Sequence, residues 1–317
     1  MKFTEKQLQS ISAPLGKTED QQCQNAIGMV RDALKVLGYN DDGKAFAKMV
    51  DDTFAYQIEL RNDVENRHVK IFVQGSYANN TSVRAESDVD IAVVEEDIFS
   101  PVYRAGVTES QYGFSTAPTR MRTFKDEVHT ALENRFGDDV ERQDKSIKIV
   151  GNTNRKDADS VPCRRYRDYS NDYFFNPDNY VGGVQIYPDS GGAIVNYPEQ
   201  HIKNGRQKNV NTNRYYKKMV RIVKKIRLLM LDDRSTSASN MTSFGLESLL
   251  WNIPDGVFTQ YSSIGLIFEG VADYLLQNTW SVSSYKEANG IKSLCPSAAD
   301  VLNYKQFVLD LNKYIRV

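Results

Sequence analysis

Apolar residues recur at helical spacing in several stretches of the chain, and they predict its main helices. Residues 20–37 have this pattern and end at Gly38, a residue that commonly stops a helix. The strongest pattern spans 211–233, whose apolar stripe consists of Met219, Ile222 or Val223, Ile226 and Leu229 or Met230. Further helices are predicted at 119–136, 242–251, 261–278 and 298–313, together with a more polar helix at 43–67.

Shorter apolar runs between these helices predict strands. They are VKIFVQ (69–74), SDVDIAVV (87–94), SIKIV (146–150) and DSVPCRRY (159–166). Residues 167–192 are rich in Tyr, Asn, Asp and Gly, which indicates loops or a hairpin. The pattern therefore predicts a mixed α/β unit over 1–200, which includes the N-terminal helices, and a helical lobe over 201–317. We place the boundary near 195–210, and the pattern leaves open that the chain crosses back.

Composition and charge narrow the class of protein. The chain has 317 residues, and 40% of them are apolar, which is enough for a large core in two lobes. Lys and Arg total 40 against 41 Asp and Glu, so the net charge of −1 argues against a nucleic-acid coat protein, although a local basic patch stays compatible with it.

The cysteines and the N-terminus bear on the compartment. Three scattered cysteines, Cys23, Cys163 and Cys295, fit a reducing compartment better than a disulfide framework, and no Cys/His cluster has zinc spacing. The N-terminal residues MKFTEKQLQS lack an apolar signal core, and no run of about 18 apolar residues predicts a membrane span. We therefore expect a soluble cytoplasmic protein.

Two neighbouring strands carry a pattern suited to phosphate chemistry. Asp88 and Asp90 are two residues apart on a predicted strand, so both carboxylates point to one face, repel each other and favour a bound cation. Gly75 and Ser76 follow the preceding strand, where Gly lets the backbone approach a phosphate and the Ser hydroxyl can bind its oxygens. Each pair alone is more often a solvated strand face or an ordinary turn. Their order and strand–turn–strand setting favour metal-assisted phosphoryl transfer.

This segment, GSYANNTSVRAESDVDIAVV, resembles the signature of the polymerase-β-type nucleotidyltransferase superfamily. Within it, the chain is most similar to bacterial relatives of cyclic GMP-AMP synthase and oligoadenylate synthase, the cyclic-oligonucleotide synthases of anti-phage defence. The resemblance spans residues 65–255 and rests on several separated motifs. It implies an α+β fold, with a polymerase-β-like mixed sheet as the catalytic core and a helical C-terminal lobe that completes the nucleotide cleft.

The family has a third carboxylate on a later strand, typically followed by an apolar residue and then Val-Pro. ADSVPCRRYR supplies Asp159 before Val161-Pro162, with Ser160 where Val is commoner. Asp157 lies two residues earlier and competes for the role, and both could instead be surface charges in the polar run NRKDAD. We favour Asp159 because of its position relative to Val161-Pro162.

The resemblance also implies residues that bind the donor triphosphate. The family has an Arg-x-x-Lys pattern on its long helix, and Arg221 and Lys224 fit it. Their spacing puts both cations on one face, which we place opposite the apolar stripe, and a solvated basic face is the alternative. Ser243 matches a serine placed against the triphosphate.

Two residues match positions at which relatives contact the nucleobase. Phe244 matches an aromatic residue placed against the base, and its alternative role is that of a core residue. Asn196, in AIVNYPEQH, matches an asparagine that reads the base in some relatives and can favour uracil. An amide offers the donor and the acceptor that such reading needs. Asn before Tyr-Pro is equally an ordinary loop element.

The implied reaction uses two Mg²⁺ or Mn²⁺ ions held by Asp88, Asp90 and Asp159. Gly75, Ser76, Lys224 and Ser243 would bind the triphosphate. The substrates would be nucleoside triphosphates, with ATP expected and UTP or GTP as the other candidates. The product would be a cyclic di- or trinucleotide messenger. We expect a monomeric enzyme that acts on its downstream effector only through this product. We expect no membrane association and no stable nucleic-acid partner.

Other functions stay open at this point. A related enzyme could make a linear oligonucleotide or adenylylate a small molecule or protein. A nucleotide sensor without catalysis is disfavoured by the intact carboxylate set, and a nucleic-acid-binding module that uses the basic helix is disfavoured by the net charge.

Overall fold

The computed structural model describes residues 2–14, 16–51, 53–83, 88–116 and 123–316. Within these ranges the helices are α1 (Glu5–Ile11), α2 (Lys17–Leu34), α3 (Gly75–Ala78), α4 (Phe124–Phe136), α5 (Pro198–Asn211), α6 (Tyr215–Asp232), α7 (Thr236–Ser239), α8 (Ser243–Trp251), α9 (Asp255–Thr259), α10 (Ile264–Gln277) and α11 (Ala298–Arg316). The strands are β1 (Ala47–Lys48), β2 (Tyr56–Asn62), β3 (Arg67–Gln74), β4 (Val89–Tyr103), β5 (Val140–Arg142), β6 (Ile147–Ile149), β7 (Ala158–Tyr169), β8 (Val181–Ile186) and β9 (Ile194–Asn196).

All of these strands belong to one mixed sheet. Its main path runs β1-β2-β3-β4-β7-β6-β5, and β8 and β9 extend it from β7. The pair β4–β7 is parallel, whereas the other pairs are antiparallel. β4 is apolar on both faces because it lies in the middle of the sheet, where alternate residues enter different cores.

The two faces of the sheet have separate apolar clusters. Ile91 and Val93 point towards the cluster that includes α2 and α4, whereas Ala92 and Val94 point towards a smaller cluster with residues of β7 and β8. Helix α5 crosses this second side and contacts β3 and β8. Because side chains alternate between the two faces along β4, this alternation specifies which residues pack into each apolar cluster.

The C-terminal helices pack around α6. Its predicted stripe is confirmed, because Met219, Ile222, Val223, Ile226 and Met230 are all buried in the helical cluster. Leu8 of α1 joins the same cluster. The Glu5 carboxylate also accepts hydrogen bonds from the backbone N–H groups of Ile264 and Gly265 at the start of α10, at 3.0 and 2.7 Å. The chain therefore begins against the helical lobe and then crosses to the sheet.

Most of the predicted elements are confirmed, and so is the fold class of a mixed sheet with a helical C-terminal part. The predicted helix over 43–67 is wrong, since this segment forms β1, β2 and the turn to β3. Within β2, Ile58, Leu60 and Asn62 are buried and alternate with exposed residues, a strand period that the polar composition obscured. Ser87 of one predicted strand and residues 119–122 of one predicted helix lie outside the described residues.

The predicted boundary region contains a helix of its own. Pro198 begins α5 at its first position, where a missing N–H costs no helical hydrogen bond. Asn213 and Arg214 have positive φ angles of 49° and 67°, and they separate α5 from α6. The single helix predicted over 211–233 therefore begins only at Tyr215.

Two observations bear on the expected class of protein. Cys23, Cys163 and Cys295 are buried free thiols. Among the helices of the described ranges, none is both long and apolar enough to cross a membrane.

A buried ion network fixes α5 to the sheet. Arg165 of β7 is 4% exposed, and its Nε donates to Glu96 at 2.9 Å while its Nη1 donates to Glu199 at 2.7 Å. Glu199, in the first turn of α5, also pairs with Lys70 of β3 at 2.7 Å. Three strands and a helix are thus joined through charges that water does not screen well.

We expect Arg165→Ala to lower the free energy of unfolding by about 3 kcal/mol, because the partly buried Glu96 would lose its cation and Glu199 would keep only Lys70. Urea unfolding followed by circular dichroism measures this. Arg316→Ala is the matched control, since Arg316 pairs with Asp273 at the surface, and it should cost about 1 kcal/mol or less. Equal effects of the two variants would contradict the structural role of the Arg165 network.

Candidate active site

The parallel register of the central strands brings two of the predicted carboxylates together. Asp90 is the second residue of β4, Asp159 is the second residue of β7, and the two lie opposite each other in the ladder. Asp88 precedes β4 and has an exposed side chain. Its charge acts on both Asp90 and Asp159, so the three carboxylates form one electrostatic group.

Burial and neighbouring negative charges make Asp90 and Asp159 reluctant to ionise. Burial, together with the charges of Asp159 and Asp88, raises the pKa of Asp90 to about 7. Burial and the charge of Asp88 also raise the pKa of Asp159, against the opposing effect of Lys148. A bound cation would relieve the repulsion, which is the electrostatic condition for a metal site.

Gly75 forms the wall next to Asp90. Its φ is +70°, a conformation that L side chains rarely adopt, and a Cβ atom built on it would overlap the Asp90 carboxylate. Glycine is therefore required here twice, for its backbone angle and for the close approach. The adjacent Ser76 lies in α3, and its hydroxyl is 3.1 Å from that of Ser82.

The two candidates for the third carboxylate have different surroundings. The Asp157 carboxylate accepts a hydrogen bond from the backbone N–H of Gly151 at 2.6 Å and pairs with Lys148 at 2.9 Å. Hydrogen bonding from Lys148 holds the pKa of Asp157 below its ordinary value, although burial opposes it. Asp159 Oδ1 is buried and has no hydrogen-bond partner among the described residues. Asp157 thus stabilises the turn before β7, whereas Asp159 keeps an acceptor available.

The donor set fits a hard divalent cation only when substrate oxygens complete it. No group of three or more His, Cys, Asp and Glu side chains within the described ranges is arranged to hold a metal by itself. Mg²⁺ is commonly bound by one or two carboxylates together with substrate phosphates and water. Asp90 and Asp159, with the orphaned Oδ1 atom of the latter, match that pattern.

A cleft of about 220 Å³ opens next to Asp90, between the sheet and the helical lobe. The end of β3, the end of β9 and the starts of α3, α5 and α8 supply its walls, together with a turn before α11. The residues that line it are Gln74, Gly75, Asp90, Asn196, Tyr197, Pro198, His201, Phe244, Glu287 and Asn289. The carboxylate end and the predicted base-contacting residues therefore share one cavity.

The two predicted base contacts lie at the cleft wall. Phe244 is 39% exposed, and its ring meets the edge of His201 at 5.1 Å between centroids. It therefore does not lie in the helical core, which was its alternative role. Asn196 is the last residue of β9, where pairing with Val184 of β8 fixes its backbone.

The alternative of a solvated basic face is wrong for Lys224 and Arg221. Lys224 is 2% exposed, and its ammonium donates to Glu247 at 3.1 Å and to Thr81 at 3.3 Å. Arg221 is buried too and donates to the carbonyl oxygens of Ser12 and Asn80. Helix α6 is buried on this face because the loop after α3 packs against it, a long-range contact that helical spacing does not reveal.

The charge of Lys224 still reaches the carboxylates, since it acts to lower the pKa of Asp90. Ser243 is the first residue of α8 and is partly buried beside Phe244. Both residues lie near the cleft, but neither belongs to its lining.

Sequence reasoning missed several cleft residues. His201 of α5 bonds to the buried Glu247 at 2.8 Å, so it ties the cleft wall to the Lys224 network. Glu287 and Asn289 come from the turn KEANG between α10 and α11. Polar residues in such a turn are usual at the surface, so a single sequence offers no signal for them.

Comparison with known proteins agrees with this arrangement. The model of the cGAS/DncV-like nucleotidyltransferase C-terminal helical domain matches residues 203–316. Cyclic GMP-AMP synthase CdnE03 of Staphylococcus schleiferi is 46% identical over 99% of this chain and 97% of that protein.

Two solved structures have the same fold over nearly the whole chain. The Elizabethkingia meningoseptica CdnE cyclic dinucleotide synthase, solved with GTP and Apcpp, has a TM-score of 0.72 and 30% identity and covers 97% of this chain and 98% of its own. The Rhodothermus marinus CdnE c-UMP-AMP synthase, solved with Apcpp and Upnpp, has a TM-score of 0.75 and 26% identity, with coverage of 98% and 96%. Since the fold, the helical-domain match and the full-length similarity agree, the protein belongs to the cGAS/DncV-like nucleotidyltransferase family.

Proposed function

We propose that the protein joins nucleoside triphosphates into a cyclic di- or trinucleotide that serves as a second messenger in anti-phage defence. The observation that supports this most directly is the pairing of Asp90 with Asp159 beside Gly75, at one end of a cleft whose other walls include Phe244 and Asn196. Relatives named as cyclic GMP-AMP, cyclic dipyrimidine and cyclic UMP-AMP synthases support the class of product.

Asp88, Asp90 and Asp159 would hold two Mg²⁺ or Mn²⁺ ions together with the triphosphate oxygens. These ions would neutralise phosphate charge and lower the pKa of the acceptor ribose hydroxyl. Because Gly75 approaches Asp90 closely, its backbone and the carboxylate would both contact the same phosphate. The positive charge of Lys224, which acts on Asp90 and is held in place by Thr81 and Glu247, would favour the anionic substrate.

Phe244 and Asn196 would bind the base. The Phe244 ring offers a stacking surface worth about 1–3 kcal/mol for any base. Asn196 offers an amide donor and acceptor at the end of a strand, from where it can contact a base edge. In each transfer an acceptor ribose hydroxyl would lose its proton and bond to the α-phosphate of the donor, and pyrophosphate would leave. After the first transfer the linear intermediate would rebind, and a second transfer would close the ring.

The double substitution Asp88→Asn plus Asp90→Asn should abolish product while the fold is kept, because the phosphate-binding cations would lose their anchoring charges. Incubation of each protein with all four nucleoside triphosphates and Mg²⁺ or Mn²⁺, followed by product mass spectrometry and nuclease mapping, tests both the function and the residues. Wild-type protein should give a cyclic product. A linear oligonucleotide, an adenylylated acceptor or near wild-type turnover by the double variant would each contradict the proposal.

The stability of the wild type, relative to that of the same double variant, should depend on pH in a defined direction. The folded-state pKa of Asp90, about 7, lies above its ordinary value of 3.8, so its contribution to stability is present below about pH 4 and is lost as the pH rises towards 7. In metal-free buffer, the melting temperature of the wild type should therefore fall between pH 5 and 8 relative to that of the double variant. If the melting temperatures of the two proteins change equally with pH over this range, ionisation of Asp90 does not destabilise the fold, and the prediction is contradicted.

Asp159→Asn should reduce turnover by about 100-fold or more, the scale expected when a group that stabilises transition-state charge is removed. Asp157→Asn is the matched control on the same segment, and it should keep most activity and lose some stability through its Lys148 and Gly151 contacts. Initial rates of pyrophosphate release measure both. An inactive Asp157 variant beside an active Asp159 variant would reverse the assignment.

Asn196→Ser should change which nucleotides enter the product more than the rate of its formation. A hydroxyl discriminates base edges less than an amide does, and the Asn196 position is at the cleft wall rather than in the carboxylate pair. Competition among four equimolar nucleoside triphosphates, with bases counted by product mass, measures the ratio. Asn211→Ser, on the exposed end of α5, is the control. An unchanged base ratio at normal turnover would remove Asn196 from base recognition.

A further inference from the structure

The turn formed by residues 286–293 supplies the wall of the cleft that no sequence signal revealed. Its ends pair through Lys286 and Ser293, and the Glu287 N–H donates to the Lys292 carbonyl at 2.9 Å. The side chain of Asn252, which directly follows α8, bonds to both backbone groups of Lys286, at 2.7 and 3.0 Å. The base of the turn is thereby fixed to the helical lobe.

The rest of the turn is held against the other walls. The Ala288 carbonyl accepts from Asn204 of α5 at 3.0 Å, and the Ala288 N–H donates to Ser248 of α8 at 3.0 Å. The Lys292 ammonium donates to the carbonyl oxygen of Val195 at 3.1 Å, immediately before Asn196. Glu287 and Asn196 therefore lie at the same cleft, on backbone segments that are held in place by hydrogen bonds.

The Glu287 carboxylate is positioned rather than free to rotate. Its Oε2 accepts from the Asn289 amide at 2.6 Å, and Asn289 is itself fixed because its Oδ1 accepts from the N–H groups of Ile291 and Lys292 at 2.8 and 3.0 Å. The Lys292 ammonium is 4.0 Å from Oε1, the outer limit of an ion pair. An ionised carboxylate has about four acceptor sites, so most of this capacity remains for a ligand in the cleft.

The two carboxylate oxygens of Glu287 are neighbouring hydrogen-bond acceptors, so they match a base edge that presents two neighbouring donors. Guanine presents N1–H and the 2-amino group side by side, whereas the amino groups of adenine and cytosine adjoin a ring acceptor and the uracil N3–H lies between two carbonyl groups. Only guanine can therefore meet a carboxylate with two parallel hydrogen bonds and no facing acceptor. The Asn196 amide, on the same cleft, is a suitable donor for the guanine 6-oxo group.

We propose that Glu287 is a specificity-determining residue that selects a guanine nucleotide in this cleft, with Asn289 as its positioning residue. The proposal rests on the proposed function, since it places a nucleoside triphosphate in the cleft. The competing explanation is that Glu287 only stabilises the 286–293 turn through Asn289.

Substrate analogues test this without any substitution. Isothermal titration calorimetry of the wild-type protein with the α,β-methylene analogues of GTP, ITP and ATP, in Mg²⁺, measures binding without turnover. Because inosine lacks the 2-amino group, the ITP analogue should bind about tenfold or more weakly than the GTP analogue, as expected for the loss of a hydrogen bond to a charged group. Equal affinities for the GTP and ITP analogues would overturn the proposal.

The variant Glu287→Gln keeps the size of the side chain and an acceptor for Asn289, but it loses the second acceptor. It should bind the GTP analogue about tenfold or more weakly and should bind the GTP and ITP analogues nearly equally. Glu133→Gln, on the exposed side of α4, is the control and should keep the wild-type ratio. A wild-type GTP-to-ITP ratio in the Glu287 variant would leave Glu287 with a structural role alone and overturn the proposal.

The outcomes separate this inference from the proposed function. Wild-type protein that discriminates GTP from ITP through Glu287, but forms no nucleotide product, would remove the enzymatic proposal and keep the guanine site. Product formation without such discrimination would keep the enzyme and remove the guanine site.

Discussion

The parallel pairing of β4 with β7 places two partly buried carboxylates directly opposite each other, and the rest of the site depends on that pairing. Burial and the charges of Asp159 and Asp88 raise the pKa of Asp90, and burial and the charge of Asp88 raise the pKa of Asp159. The fold maintains this unfavourable arrangement because β4 and β7 are held by apolar clusters on both faces of the sheet. Gly75 then reaches the Asp90 carboxylate because it has no side chain.

A buried polar network joins the sheet to the helical lobe on the other side of the cleft. Glu247 accepts hydrogen bonds from Thr81 and Lys224 and bonds to His201, so one carboxylate connects the loop after α3, the long helix α6 and helix α5. Burial acts to raise the pKa of Glu247, but the charges of Lys224 and His201 lower it below its ordinary value. Removal of one partner from such a network is costly, which favours a single relative position of the walls of the cleft.

The cleft has two chemically different ends. The end at Gly75 and Asp90 suits phosphate and cation, whereas the end at Asn196, Phe244 and Glu287 offers an amide, an aromatic ring and a carboxylate. These base-end groups lie on β9, α8 and the 286–293 turn, each of which is fixed by hydrogen bonds to a neighbouring element. In the proposed function, one set of groups would serve chemistry that is common to all nucleotides, and the other would distinguish among bases.

The sequence alone determined the elements whose signal is local. The stripe of α6, the alternation around Asp90 and the Gly75-Ser76 turn are short-range patterns, and they were sufficient to recognise the family and its carboxylate strand. The tertiary structure decided what depends on contacts between distant residues. Asp159 and Asp157 share a segment, and the β4–β7 register and the contacts of Asp157 with Lys148 and Gly151 distinguish their surroundings. Lys224 is buried because the loop around Thr81 packs on α6, and Glu287 reaches the cleft because Asn204, Ser248 and Asn252 hold its turn there. Periodicity reports which face of an element is apolar, but it does not report which distant polar group will cover the other face.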